Sequence, residues 1–105
     1  MRHTDALVKV ARALCADPRG KHWGYPLTKT TGLRSGALYP ILNRMMAEGW
    51  LEDGWEDIDP AAARRPPRRY YEITPDGLRE LGAVVRRADL EEARGRSRAG
   101  RAALA

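Results

Sequence analysis

Phenylalanine is missing from this chain, and cysteine occurs once, as Cys15. A single thiol excludes an intramolecular disulfide framework and a multi-cysteine zinc site. Its setting on an amphipathic stretch makes a small buried apolar residue the expected role. Histidine is nearly as scarce: His3 and His22 are the only two, with no cysteine or carboxylate at metal-ligand spacing, so neither a metal nor a cofactor is expected. There is no apolar run of signal-peptide type at the N-terminus and no stretch of membrane-spanning length, which leads to an expected cytoplasmic location. A Ser/His/Asp set, paired catalytic carboxylates and a glycine-rich phosphate loop are also missing; Gly32 and Gly36 bracket too little chain for such a loop. An enzyme is therefore not expected.

What the sequence does have is positive charge. It carries 19 Lys+Arg against 14 Asp+Glu, a formal net charge of +5, and arginine greatly outnumbers lysine. Such a balance favours polyanionic partners, although solubility alone also accounts for a moderate charge. At 105 residues the chain is one domain with a modest core, and a partner copy is a common source of the missing burial.

His3-Thr4-Asp5 opens a helical pattern, with Leu7, Val10, Ala11, Leu14 and Cys15 at helical spacing and Asp17-Pro18-Arg19-Gly20 as the break. A short second helix is expected from Gly24 to about Thr30, with Pro26 in its first turn and Gly32 at its stop. Ser35 reads as the N-cap of a third helix, 35–48, whose apolar face is Leu38, Ile41, Leu42, Met45 and Met46, with Pro40 inside its first turns and Gly49 at its end. The period then changes. Trp50–Glu56 and Arg68–Ile73 read as two strands, joined by a long loop rich in Pro, Ala, Asp and Arg. Thr74-Pro75-Asp76-Gly77 starts a last helix with Leu78, Leu81, Val84, Val85 and Ala88 as its stripe, extended by Leu90.

The order is helix, helix, helix, strand, strand, helix. That is an α+β, mostly α architecture: a winged helix-turn-helix of three helices, a two-stranded β wing and a C-terminal helix. Residues 1–93 form the winged-helix domain with its C-terminal dimerisation helix, and 94–105, rich in Arg, Gly and Ala and without an apolar stripe, are expected to be a basic, disordered tail. Arg94, Arg96, Arg98 and Arg101 of that tail offer sequence-independent attraction to a polyanion or, equally, solubility.

Ser35-Gly36-Ala37-Leu38-Tyr39-Pro40-Ile41-Leu42 resembles the PadR family of bacterial transcriptional regulators, in which a Tyr-Pro pair lies early in the recognition helix. Gly24-Tyr25-Pro26-Leu27 looks like the opening of that family's second helix, and Glu48-Gly49-Trp50-Leu51 like its helix-to-strand turn. Arg65-Pro66-Pro67-Arg68-Arg69-Tyr70-Tyr71-Glu72-Ile73-Thr74 looks like its wing and second strand, and Gly77, Leu78 and Leu81 fit its closing helix. The resemblance implies a homodimer that binds operator DNA, usually as a repressor, and that pairs largely through C-terminal helices. Some members bind an aromatic small-molecule effector at that interface. The short region after the second strand argues against an effector here, and Trp23, Trp50 and Trp55 are expected in the core or an interface.

On this scheme the third helix enters the major groove, and Arg34, Ser35, Gly36, Ala37, Tyr39, Asn43 and Arg44 are candidates for its exposed side. Backbone N–H groups at Ser35 and Gly36 suit a phosphate, and small residues there permit close approach; Tyr39 has the alternative of packing on the first two helices. Thr28 and Lys29 are candidates for backbone phosphates, with Thr30, Lys21 and His22 behind them. The wing, 58–69, offers Arg64, Arg65, Arg68 and Arg69 to the backbone or minor groove. Glu52, Asp53, Glu56, Asp57 and Asp59 share that hairpin. They either point away from DNA or restrain the wing arginines until DNA competes for them. Dimer contacts are expected from Leu81, Val84, Val85, Ala88 and Leu90 of the last helix and Leu7 of the first. The competing function is a winged-helix adaptor that binds protein without specific DNA binding.

Overall fold

A computed structural model describes residues 2–104, with side chains placed as far as residue 100. Helix α1, Asp5–Cys15, starts where the threonine side chain makes a cap possible: the Leu7 N–H donates to Thr4 Oγ1 at 3.2 Å. Its buried face is Leu7, Val10, Ala11 and Leu14. Strand β1, His22–Trp23, leads into α2, Gly24–Thr31, and α3, Ser35–Ala47. Buried Thr31 ties the turn between these two helices, because its hydroxyl donates to the Leu27 carbonyl at 2.7 Å and accepts from the Leu33 N–H at 3.1 Å. Strand β2, Leu51–Trp55, the single-turn α4, Pro60–Ala63, and β3, Arg69–Ile73, form the wing. Helix α5, Pro75–Leu104, closes the chain.

The class is the expected one, with additions. The sheet has three antiparallel strands in the order β1-β3-β2, so β3 is central and the wing has a third strand at its base. His22 and Trp23 pair with Tyr71 and Tyr70, and Leu51 through Trp55 pair with Ile73 through Arg69. The α3 cap is Arg34 rather than Ser35: the Arg34 carbonyl accepts the Ala37 and Leu38 N–H groups at 3.0 and 2.9 Å, with no side-chain cap. Ser35 is thus the first helical residue. Pro40 lies inside α3 on its exposed side and denies the Gly36 carbonyl its usual helical donor. The wing loop holds α4, capped by the Asp59 carboxylate accepting from the Ala61 N–H at 3.0 Å.

Helix α1 is central to the core, packed against α2, α3 and α5. Leu38, Leu42, Met45, Tyr71 and Leu81 join its apolar face, all fully buried. Two features fix the root of α5. The Thr74 hydroxyl donates to the Gly49 carbonyl at 2.6 Å and accepts from the Gly77 N–H at 3.0 Å. Gly77 then passes so close to the wing's entry that a Cβ there would overlap the Trp50 carbonyl; only glycine fits.

Two expectations about α5 need correction. Leu81 and Val84, like Leu7 of α1, are 0 %, 3 % and 2 % exposed. Their side chains are buried in the α1–α5 packing within one protomer. Val85 and Ala88 are half-buried and Leu90 is exposed, as is Leu78, although it belongs to the same apolar stripe in the sequence. Helix α5 also continues through the segment expected to be a disordered tail. Arginine, glutamate and alanine are good helix formers, and ion pairs one turn apart join Arg87 to Glu91 at 3.6 Å and Arg96 to Glu92 at 3.9 Å. Arg101, counted with the basic tail, lies outside the residues whose side chains are described. Arg12 of α1 reaches Asp89 at 2.6 Å and Glu92 at 3.2 Å, clipping the two helices together at the edge of the core.

Candidate nucleic-acid interface

With Leu38, Ile41, Leu42 and Met45 turned inward, α3 exposes Ser35, Gly36, Ala37, Tyr39, Asn43 and Arg44. The spacing of three and four residues puts Ser35, Tyr39 and Asn43 on one line along the helix and Gly36, Pro40 and Arg44 on the next. Tyr39 does two things at once. Its ring packs over the start of α2, where a Cβ on Gly24 would collide with the Tyr39 hydroxyl, and yet it stays 40 % exposed. The packing alternative and the surface alternative are both partly realised.

Tyr39 divides two neighbouring depressions. One is lined by Thr28, Lys29, Arg34 and Ser35, together with Gly24, Tyr25 and Leu33. The other lies between the start of α2 and the base of the wing and is lined by Trp23, Tyr25, Pro26, Glu56, Arg68 and Arg69. The structure thus gathers Thr28, Lys29, Arg34, Ser35, Tyr39, Arg68 and Arg69 along one continuous side. Asn43 and Arg44 lie outside both depressions, further along the exposed face of α3. Arg64 and Arg65 belong to the wing loop beyond them. Thr28 is half-buried and donates its hydroxyl to the Tyr25 carbonyl at 2.6 Å, which leaves only its acceptor capacity outward.

Two of the five acidic residues, Asp53 and Glu56, pair with wing arginines. Arg65 grips Glu56 with both terminal nitrogens, at 2.6 and 3.1 Å. That contact holds the Glu56 carboxyl below the usual carboxylate range, against the opposing effect of desolvation. Arg69 donates through Nε to Asp53 at 2.7 Å, lies 5.3 Å over the Tyr71 ring and reaches the Met46 sulfur at 3.8 Å. Asp59 is used in capping α4. Glu52 pairs across the ladder with Glu72, displaced by one residue from the Leu51 side of the strand and so on the opposite face. Of the two arrangements open to the acidic stretch, Asp53 and Glu56 take the one that restrains arginines.

The other cations are uncommitted. Among the described residues Arg34, Arg44, Arg64 and Arg68 make no side-chain ion pair, and Lys29 sits 5.2 Å over the exposed Tyr25 ring. Arg64 takes a left-handed conformation, φ 56°, that turns the loop back toward Glu56. Beneath this surface Tyr71 is fully buried, its hydroxyl without a hydrogen-bond partner among the described residues, and burial pushes its phenol pKa up.

Tyr25 and Trp55 are 71 % and 65 % exposed, so Trp55 is not part of the protomer core in which it was one of the expected residues, while Glu56 takes the arginine-restraining role that was open to the whole acidic stretch. Gly24-Tyr25 opens the second helix, and that position was the available signal for Tyr25. Trp55 carries no such signal, since tryptophan is more often covered.

The sequence profile of the PadR-like transcriptional regulator family matches residues 19–83, from the turn after α1 into α5. Solved structures agree in fold. A PadR family transcriptional regulator from Eggerthella lenta is 25 % identical, with a TM-score of 0.64 over 87 % of this chain and 82 % of that one. A PadR-like transcriptional regulator from Bacillus cereus is 22 % identical, with a TM-score of 0.67 over 87 % of each chain. The circadian clock associated protein Pex from Anabaena is 17 % identical, with a TM-score of 0.63 over 86 % of this chain and 83 % of that one. No curated protein matches the sequence.

Proposed function

This chain belongs to the PadR-like family of transcriptional regulators, and from that premise we propose that it is a sequence-specific repressor that binds its operator as a homodimer, with α3 in the major groove and the wing on the backbone or minor groove. Its place of action is the cytoplasm, where such DNA lies. Families of this kind regulate transcription and are not enzymes. The observation that carries the proposal is the continuous side on which Thr28, Lys29, Arg34, Ser35, Tyr39 and Arg68 meet, with Arg34 and Arg68 making no side-chain ion pair among the described residues, next to the exposed small residues Gly36 and Ala37 at the start of α3. Small residues let the helix start approach the groove, and unpaired guanidinium groups lose no ion pair on meeting phosphate.

For the dimer, Leu90, Val85 and Ala88 remain available on α5 once Leu7, Leu81 and Val84 are assigned to the protomer core. Among the described residues no helix is long and apolar enough to cross a membrane.

The test is binding to the DNA upstream of its own gene, measured beside random-sequence duplex over a range of salt. Preference for the upstream DNA and a steep loss with salt are expected. Equal binding to both overturns sequence-specific repression. Co-purification of a protein partner together with no DNA binding at low salt replaces it with the adaptor.

A further inference from the structure

The four wing arginines are two kinds of residue. Resting on the DNA-binding proposal above, we propose that Glu56 is the clasp of the wing and divides them: Arg65 and Arg69 are positioning residues, already neutralised by the protein, while Arg68, with Arg64, supplies the charge that meets DNA phosphate.

The geometry at Glu56 is what distinguishes it from a surface carboxylate in a chance pair. It closes the wing loop at three points. Its side chain takes the fork of Arg65 at 2.6 and 3.1 Å. The same carboxylate accepts the Arg68 backbone N–H at 3.4 Å, and the Glu56 N–H donates to the Arg68 carbonyl at 2.8 Å. One residue therefore joins the incoming end of the loop to Arg65 and Arg68 on the outgoing end, where Pro66 and Pro67 already limit the backbone. Bidentate pairing satisfies both carboxylate oxygens and fixes the plane of the guanidinium.

Arg69 is held by a second, separate set of contacts: Asp53 across the ladder, the face of Tyr71, and Met46 of α3. Moving it onto phosphate would expose an unpaired Asp53 next to the DNA. Arg68 is hydrogen-bonded only through its backbone, and its side chain acts on Glu56 only as a nearby charge, the weakest of the causes that lower the Glu56 pKa. Its side chain is exposed at the mouth of the depression shared with Tyr25 and Tyr39, and among the described residues it has no ion pair. Arg64 is likewise exposed and without an ion pair there. Counterions condense on DNA and are released one by one as protein cations replace them. A cation already neutralised by a carboxylate releases none.

The experiment uses the full chain and random-sequence duplex DNA, whose binding is dominated by phosphate contacts, and reads the slope of log affinity against log salt. Arg68→Ala is expected to make the slope shallower by about 0.9 per wing engaged, so that over a fourfold rise in salt the wild type loses about 3.5-fold more affinity than the variant. The double variant Arg65→Ala/Glu56→Gln, which removes the pair without leaving a bare carboxylate beside Arg68, is expected to leave the slope within a third of that change. Arg65→Lys, which keeps a charge for Glu56, is expected to match wild type. Glu56→Gln retains an acceptor for the Arg68 N–H while releasing Arg65, and should steepen the slope by about 0.9 per wing. Thermal unfolding followed alongside separates these effects from loss of fold. The division is overturned when Arg65→Ala/Glu56→Gln flattens the slope as much as Arg68→Ala, or when Glu56→Gln leaves it unchanged. A wild-type protein whose affinity ignores salt, or that does not bind duplex DNA, overturns instead the DNA-binding proposal on which this one rests.

Discussion

Helices α3 and α5 both bury one face and show another, but their outer faces are built on opposite plans. The outer face of α5 carries charges of both signs and pairs several of them, Arg79 with Asp76, Arg87 with Glu91 and Arg96 with Glu92, leaving Arg86, Arg94 and Arg98 without an ion pair among the described residues. The outer face of α3 carries no acidic residue between Ser35 and Ala47, and Arg44 stands there without an ion pair among the described residues. A face that answers its own charge is suited to water. A face that leaves its charge unanswered is suited to a partner of the opposite sign. The wing holds both plans within a few residues, with Arg65 and Arg69 answered and Arg64 and Arg68 not.

The sharpest way to strain this contrast is to separate stability from binding. Leu81→Ala removes a fully buried side chain from the α1–α5 layer and should cost about 2–5 kcal/mol of unfolding free energy, measured by denaturant titration. DNA binding at low temperature should persist for whatever fraction stays folded. A loss much below that range would mean that α1 and α5 collapse to fill the space.

Arg34→Ala and Arg44→Ala should do the reverse. Each is expected to lower DNA affinity by about 1–3 kcal/mol where it reaches a base edge, and uniformly across sequences where it meets phosphate. Unfolding should stay within about 0.5 kcal/mol of wild type, because neither side chain is buried or paired. A large stability loss with normal binding breaks the contrast.

Almost all of the order of elements was legible in the sequence, because it rests on signals that act locally: the Thr4 cap, the Gly32 stop, the Thr74-Pro75 start and the stripe of α1. What escaped was structure whose cause is not local. Strand β1 is two residues long and exists because β3 is there to pair with it; two residues show no alternation. Helix α4 is a single turn inside a loop of proline and alanine. The far end of α5 was read as a tail because apolar periodicity reports burial rather than helicity, and from Glu91 to Gly100 every described residue is exposed. The dimer candidates show the same ambiguity from the other side. Leu81, Val84 and Leu90 look alike in a stripe, and only the packing of α1 separates those facing the protomer core from the one facing out. At the wing, sequence supplied four arginines and five carboxylates without saying which would meet.

Leu90→Glu sharpens the α5 side of the comparison. Leu90 is 57 % exposed, so the protomer should unfold as before, while the dimer dissociation constant rises about tenfold, equivalent to about 1.4 kcal/mol, by light scattering or sedimentation. An unchanged dimer would place the interface elsewhere. The smallest effect is expected at Cys15. It is half-buried, and burial raises its thiol pKa while the nearby Arg86 pulls it back. Alkylation at neutral pH should be slower in the folded protein than in the unfolded chain, and equal rates would mean that this edge of the core is open.

In the homodimer proposed above, Gly77 bears on how far apart the two α3 helices stand. Because no side chain fits between that residue and the Trp50 carbonyl, α5 leaves the wing's base in a single direction, as a rod of 30 residues about 45 Å long. In a dimer joined along such rods, the separation of the two α3 helices is a property of rigid geometry, to be matched against the roughly 34–36 Å of one turn of duplex. One residue inserted between Thr74 and Gly77 would turn the rest of α5 by about 100° about its own axis and carry Leu81 and Val84 off α1, so the angle at which the rod leaves is tied to the protomer core itself.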